Sequence, residues 1–488
     1  MRQRHTSRSI NLLLLSIASL TVSALGADPG KIPITIASSE GRDAFLKGRD
    51  ITERLKVQEA IQFFEKAVTL DPGSAIAELN LALVQPTAKG FFEHLAKAVA
   101  LAPMASEGER LQILGVDAGA KGEPQKQKEY LTELVAKYPE DERAHTALGN
   151  FLFGQQEYQK AIDAYNRAIG INPQFSAPYN QLGYAYRFQE KYKEAEEVFK
   201  KYTELIPDDP NPYDSYAELL MKTGKFDASI ASYRKALAVD SMFASAMRGI
   251  AWDLMFEGKH GQARLEVQAS LKKARNDGER RIALFSLVLL STDEGKTDRA
   301  LTLMQEEYEV ARAAKDPASM AADLATMGTI LCEAGRQDEA LGKFKESLGT
   351  IERSDLSKEV KDLARLGHHY NVATVCLGKK DVSEAKSESA VFRAGAEARK
   401  NAFQTRRAHE LLGMIAVQEH AWRDAVDELQ QANQQDPYNI FRMALAYRGM
   451  GQAARAREYF LKAAHHNSLP ILSYTFIRQR AAMMAATL

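Results

Sequence analysis

Two cysteines, Cys332 and Cys376, in a chain of 488 residues leave no room for a disulfide framework or for a metal centre built on thiolates. Stability has to come from packing. Fifteen prolines and 30 glycines are too few for a linker-rich or disordered chain. No stretch sustains the period-two alternation of half-buried strands. Excess charge is missing as well: Lys and Arg total 64, and so do Asp and Glu. No global basic field exists to neutralise phosphates or anionic lipid, which argues against nucleic acid as a partner. What is present is 45% hydrophobic and 26% charged residues, the composition of a core-forming chain. The length suits two to four ordinary domains or one long repeat array.

The first residues read as an address. Arg2, Arg4 and Arg8 precede an apolar run from Ile10 to Val22 that contains four consecutive leucines, Leu12 to Leu15. At about 13 residues the run is short of the roughly 20 that a membrane-crossing helix needs, and the small residues Ala24 and Gly26 follow it. The pattern predicts a secretory signal over residues 1–26, cleaved after Gly26 or Ala27, and hence a chain exported to the bacterial periplasm or beyond. That compartment is oxidising and lacks ATP. Residues 27–40, with Pro29 and Pro33, read as an extended leader.

From residue 41 the chain reads as amphipathic helices in pairs, separated by Gly, Asn, Asp or Pro. The clearest register has a small residue at Ala161, Ala195, Ser229 and Ala263, three steps of 34, with Tyr165, Phe199, Tyr233 and Val267 four positions on. The preceding helices carry Leu148-Gly149, Leu182-Gly183, Tyr216-Ala217 and Ile250-Ala251 at the same interval. Pro173 and Pro207 end two of the repeats. A glycine inside a helix costs roughly 0.5 to 1 kcal/mol against alanine, so its recurrence at Gly149, Gly183, Gly328 and Gly413 requires close approach of a partner helix.

These residues resemble the tetratricopeptide repeat family, whose helical hairpin has this period, a large-small pair in its first helix and a small-aromatic-small pattern in its second. Extended outward, the register finds Gly48, Ala60, Phe64, Ala67 and Pro72, then Leu114-Gly115 and Pro139. Beyond residue 290 it finds Gly328, Ala340 and Phe344, then Leu412-Gly413, Ala425, Ala432 and Pro437, and last Tyr447, Ala456, Phe460 and Ala463. The resemblance implies an all-α right-handed superhelix of about twelve hairpins. Residues 41–277 form a regular array, 278–405 irregular hairpins with longer helices or inserted loops, 406–469 the last units, and 470–488 a capping helix. The second unit, ending at Pro103, is short. Each hairpin leaves an apolar face that only the next one covers.

In this family the first helices line the concave surface. Helical periodicity then places Thr146, Asn150 and Phe153, Asn180, Tyr184 and Arg187, Asp214, Glu218 and Met221, and Arg248, Trp252 and Met255 on the inner stripe, with Phe188 and Phe256 beside it. Aromatics, Met, Arg and amides make a binding surface for a protein or peptide. A subset of the family grips acidic C-terminal tails through basic and amide residues. Asp214 and Glu218 have the wrong sign for that, and the mixture favours an extended or helical peptide with apolar anchors and some basic character. Trp252 and Tyr184 are expected to act in capture and not in stability. A solenoid that fills its own groove, through its leader or a second copy, is the alternative. An enzyme built on 278–405 is a distant third.

No catalytic, metal or cofactor motif is complete. His409-Glu410-Leu411-Leu412-Gly413 has Gly413 where a zinc-protease helix needs its second histidine. His368-His369 and His465-His466 are adjacent pairs that point to different helix faces. Gly295-Lys296-Thr297 lacks the upstream glycine and strand of a phosphate loop, and Gly449-x-Gly451 lacks the strand of a dinucleotide fingerprint. No Gly-x-Ser-x-Gly elbow is present. Cys332 and Cys376 fall on the first helices of consecutive units, where Cα separations readily exceed the 7 Å limit of a disulfide, so two buried thiols are expected.

Overall fold

Nine of the twelve first helices begin where the sequence supplies a side-chain cap. Ser38, Ser74, Ser106, Asp141, Asn276, Asp316, Ser357, Asn401 and Asp436 each accept a backbone N–H from the helix that follows. Every hairpin but the second then reverses through a residue with positive φ, as at Gly224 (φ 73), where the amide of Lys225 returns to the Leu220 carbonyl at 2.9 Å. The computed structural model describes residues 30–488; the expected signal segment lies outside the described residues.

Among the described residues the elements are helices without a strand. They pair into twelve hairpins, here units 1 to 12, over 39–70, 75–101, 107–137, 142–171, 177–205, 211–239, 244–273, 277–313, 317–352, 358–398, 402–431 and 437–464. A single helix, Leu472–Ala486, ends the chain. The fold is an all-α tetratricopeptide-type solenoid. Units 8 to 10 are built from helices of 16 to 21 residues, against 12 to 14 in units 4 to 7.

The recurrent small-under-large pairing is the packing unit. A Cβ on Gly149 would lie 2.5 Å from the Tyr165 ring, and one on Gly183 equally close to Phe199. Ala161, Ala195, Ser229 and Ala263 are fully buried, as are Tyr165, Phe199 and Val267. Glycine therefore offsets its helical cost by letting a whole ring approach the partner backbone. The two cysteines are free thiols, and burial pushes the Cys332 thiol up to about 12.

The coil is tight enough for successive turns to touch. Unit 1 meets unit 8 through Gln58 and Asn276, and unit 2 meets the start of unit 9 through the Ala88 amide on Asp316 (3.1 Å). Arg406 of unit 11 donates to the Gln155 carbonyl of unit 4 (3.3 Å), and Lys462 of unit 12 faces Glu190 of unit 5 (3.7 Å). Each contact joins units seven apart, so about seven units complete one turn. Across the hollow, Arg143 of unit 4 bonds Glu53 of unit 1 at 2.6 and 3.0 Å.

The last helix is more than an end cap. It packs on unit 12 and also enters the hollow against the first helices of units 7, 8 and 9. There Tyr474 meets Phe256 (centroids 5.8 Å apart), Arg478 binds Asp293, and Arg480 binds Glu333 at 2.6 Å.

Candidate functional site

The first helices of units 1 to 5 project side chains into one cavity of about 370 Å3. Arg49, Asn80, Gln112, Arg143, Asn150 and Asn180 supply polar groups, and Phe45, Ile76, Leu83 and Phe175 supply apolar wall. Arg49 sits in the hollow at a cost, since burial and the neighbouring Arg143 lower its pKa. Arg143 is held by Glu53, by Glu142 (2.8 Å) and over the Phe175 ring at 4.9 Å. A larger cavity of about 580 Å3 lies between the turns at Phe92, Val99, Pro317 and Leu356, outside the hollow. The hollow is the better candidate because polar groups from five units converge there on apolar walls.

Residues 31–37 run extended along the rim of this cavity, with Ile32 and Ile34 forming part of its wall. Their backbone is received by carboxylates at the starts and ends of units. The Ile32 amide donates to Asp141 at 3.0 Å, the Thr35 amide to Glu109 at 2.8 Å and the Ala37 amide to Asp71 at 2.6 Å. Lys31 pairs with Glu142.

The residues expected on the inner stripe divide into three groups. Asn150 and Asn180 line the open cavity. Phe153 and Phe188 form an aromatic cluster with Tyr158, ring centroids 5.4 Å apart. The remainder point inward but are covered. Tyr184 donates to Ser215 (3.3 Å) while its ring carries the Arg187 guanidinium at 4.7 Å; Arg187 in turn binds Glu218 at 3.1 Å. Asp214 has an unpaired carboxylate oxygen, and burial with Glu218 nearby raises its pKa well above the ordinary range. Arg248 faces this pair, and burial lowers its pKa.

Met221, Trp252 and Met255 belong to the largest apolar core, and Phe256 packs on Tyr474. The expectation that Tyr184, Arg187, Asp214, Glu218, Met221, Trp252 and Met255 are presented to a ligand is therefore corrected. At units 5 to 7 these side chains are enclosed by their own neighbours in the repeats, and the chain's C-terminal residues reach unit 6. Lys222, for example, donates to the His466 carbonyl at 2.6 Å.

Tetratricopeptide repeat family models match residues 142–175, 177–209, 211–241 and 438–466. The chain is a tetratricopeptide repeat protein. A heat shock protein sti1 homolog of Schizosaccharomyces pombe is 29% identical over 104 residues, 21% of this chain and 18% of its own. A UDP-N-acetylglucosamine–peptide N-acetylglucosaminyltransferase of Giardia intestinalis is 31% identical over 107 residues, 22% of this chain and 7% of its own. The chain thus spans less than a fifth of either relative. A solved tetratricopeptide repeat protein from Parabacteroides merdae aligns with 53% of this chain and 97% of its own at 17% identity, TM-score 0.35.

Spacing marks four tetratricopeptide units as groove-bearing, but it does not single out Arg49, Glu53, Asn80, Gln112 or Arg143. One signal was available. Arg49 follows Gly48 as Asn150 follows Gly149 and Tyr184 follows Gly183, so the glycine register alone places it on the inward stripe. Asn80 lies in the short unit 2, whose first helix has only 9 residues, and carried no such marker.

Proposed function

We propose that the chain is an exported, non-catalytic protein-interaction scaffold that captures an extended segment of a partner protein in the hollow of units 1 to 5. The observation that carries this reading is the convergence of Asn80, Gln112, Asn150 and Asn180 with two arginines on an apolar-walled cavity already bordered by an extended peptide, residues 31–37. Amides can donate to and accept from a peptide backbone, while Phe45, Ile76 and Phe175 hold apolar anchors. Repeat folds host many roles, so the reading rests on this site and not on the fold. Export to the periplasm follows from the basic and apolar N-terminal pattern, and N-terminal sequencing of the chain from a bacterial envelope fraction is expected to begin at residue 27 or 28.

A displayed library of random nonapeptides, selected on the purified chain, tests the scaffold reading. Selected peptides should lose binding when Asn80→Arg and Gln112→Trp fill the hollow. Equal binding to the filled variant overturns the site. The alternative, a solenoid that fills its own hollow, draws support from the C-terminal helix seated against units 7 to 9. It gains if no peptide is selected by the chain.

A further inference from the structure

Among the described residues, 31–37 make no backbone pairing of the kind that joins strands, and none of them lies in a helix. They are held as a ligand is held. Lys31 lies on Glu142, and the amides of Ile32, Thr35 and Ala37 lie on Asp141, Glu109 and Asp71. The Thr35 hydroxyl also reaches Glu109, and the Pro33 carbonyl accepts from Ser106 at 3.0 Å. Ile36 is buried against unit 1, and Ile32 packs toward Tyr138 and Gly108.

Most of this row of acceptors is set in place by the repeats themselves. Glu109 closes a capping box with Ser106 at the start of unit 3. Asp141 caps unit 4 by accepting from the amides of Arg143 (2.9 Å) and Ala144 (3.0 Å). Glu142 is fixed by Arg143 and by Asn172. A row anchored in this way keeps its shape when the segment leaves, which is the condition for a receptor and not for a mere tether.

We infer that Asp71, Glu109, Asp141 and Glu142 form a binding track for an extended partner segment with a basic residue followed by alternating apolar residues, and that residues 31–37 occupy it in cis. The inference rests on the scaffold reading in that the track borders the same hollow. Four carboxylates facing one chain favour a basic ligand, and the spacing of Ile32, Ile34 and Ile36 sets its apolar period at two residues. Residues 31–37 join the solenoid through Ser38, whose side chain caps unit 1 by accepting from the Gly41 amide, so the cap itself is not made by the segment. A tethered occupant of this kind acts at an effective concentration of roughly millimolar, so a partner binds at the track only by outcompeting it.

The test uses a fluorescein-labelled synthetic peptide with the sequence of residues 30–38, followed by anisotropy, on the full chain and on the variant Lys31→Glu/Thr35→Pro. That variant removes the ion pair and the Thr35 amide without touching a helix. The loosened variant is expected to bind the peptide at least ten-fold more tightly than the unaltered chain. Adding Asp71→Asn and Glu109→Gln, the latter keeping the capping box, should reverse the gain at least ten-fold. A peptide with Glu in place of its Lys should bind weakly. Hydrogen exchange reports whether amides 32 and 37 are released in the loosened variant, position 35 having no N–H there. Released amides without tighter peptide binding overturn the track. Amides that stay protected overturn it too, because the segment is then not a displaceable occupant. Peptide binding here, combined with library peptides indifferent to Asn80→Arg and Gln112→Trp, defeats the hollow and leaves the track standing; the reverse result defeats only the track.

Discussion

Arg478 and Asp293, 185 residues apart in sequence, meet through two hydrogen bonds of 2.6 and 2.8 Å, with the Asp293 side chain fully buried. The same carboxylate accepts from His260 at 2.8 Å. This contact fastens the last helix to units 7 and 8, and it explains why a segment that reads as a simple end cap closes the hollow. Arg478→Ala leaves Asp293 with His260 and Gln479 alone. Unfolding free energy should fall by about 3 kcal/mol in a denaturant titration, and amides of residues 472–486 should exchange faster. Arg478→Lys should recover part of the loss.

Trp252 was expected to serve capture; at 5% exposure within the largest core it serves stability. Trp252→Ala should cost about 3 to 5 kcal/mol of stability. A melting temperature within a degree of the unaltered chain would contradict the packing.

Glycines at ring contacts and glycines in open helix should respond in opposite directions to alanine. Gly249→Ala drives a methyl into the Tyr233 ring and should destabilise by about 1 to 3 kcal/mol. Gly342, within the helix Gln337–Glu352, has nothing within 4 Å of the place its methyl would occupy, and Gly342→Ala should stabilise by about 0.5 to 1 kcal/mol. Paired thermal melts of the two variants check this.

Burial pushes the Asp253 carboxyl up to about 8, and its two oxygens have no hydrogen-bond partner among the described residues. The folded chain therefore holds a proton that the unfolded chain has released above about pH 4. Between about pH 4 and pH 8 the folded state binds more protons, so stability falls as pH rises through that window and levels off above it. Asp253→Asn removes this contribution. The melting temperature of the variant relative to the unaltered chain should rise from pH 5 to about pH 8.5, and a constant difference would refute the buried proton.

The repeat was legible because helical pairing is local. A glycine with an aromatic ring over it needs partners within one hairpin, so Gly149 with Tyr165 and Gly183 with Phe199 leave their mark in spacing alone. The side chains that face the hollow were only half legible: Asn150 and Asn180 stood on the right stripe and line the cavity, whereas Arg187 and Trp252 stood on it and are covered. Periodicity assigns a direction but says nothing of what fills the space in that direction.

From the residues in order, then, came the helical class, the period, the count of about twelve hairpins and the identity of the inward stripe, all consequences of contacts between neighbours in the chain. The pitch decided the rest. Small rotations between hairpins add up over seven units before Gln58 meets Asn276 or Arg478 meets Asp293, and no local pattern encodes that sum. Only in three dimensions does it become clear that the hollow stays open at units 1 to 5, closes at units 7 to 9, and carries residues 31–37 along its rim.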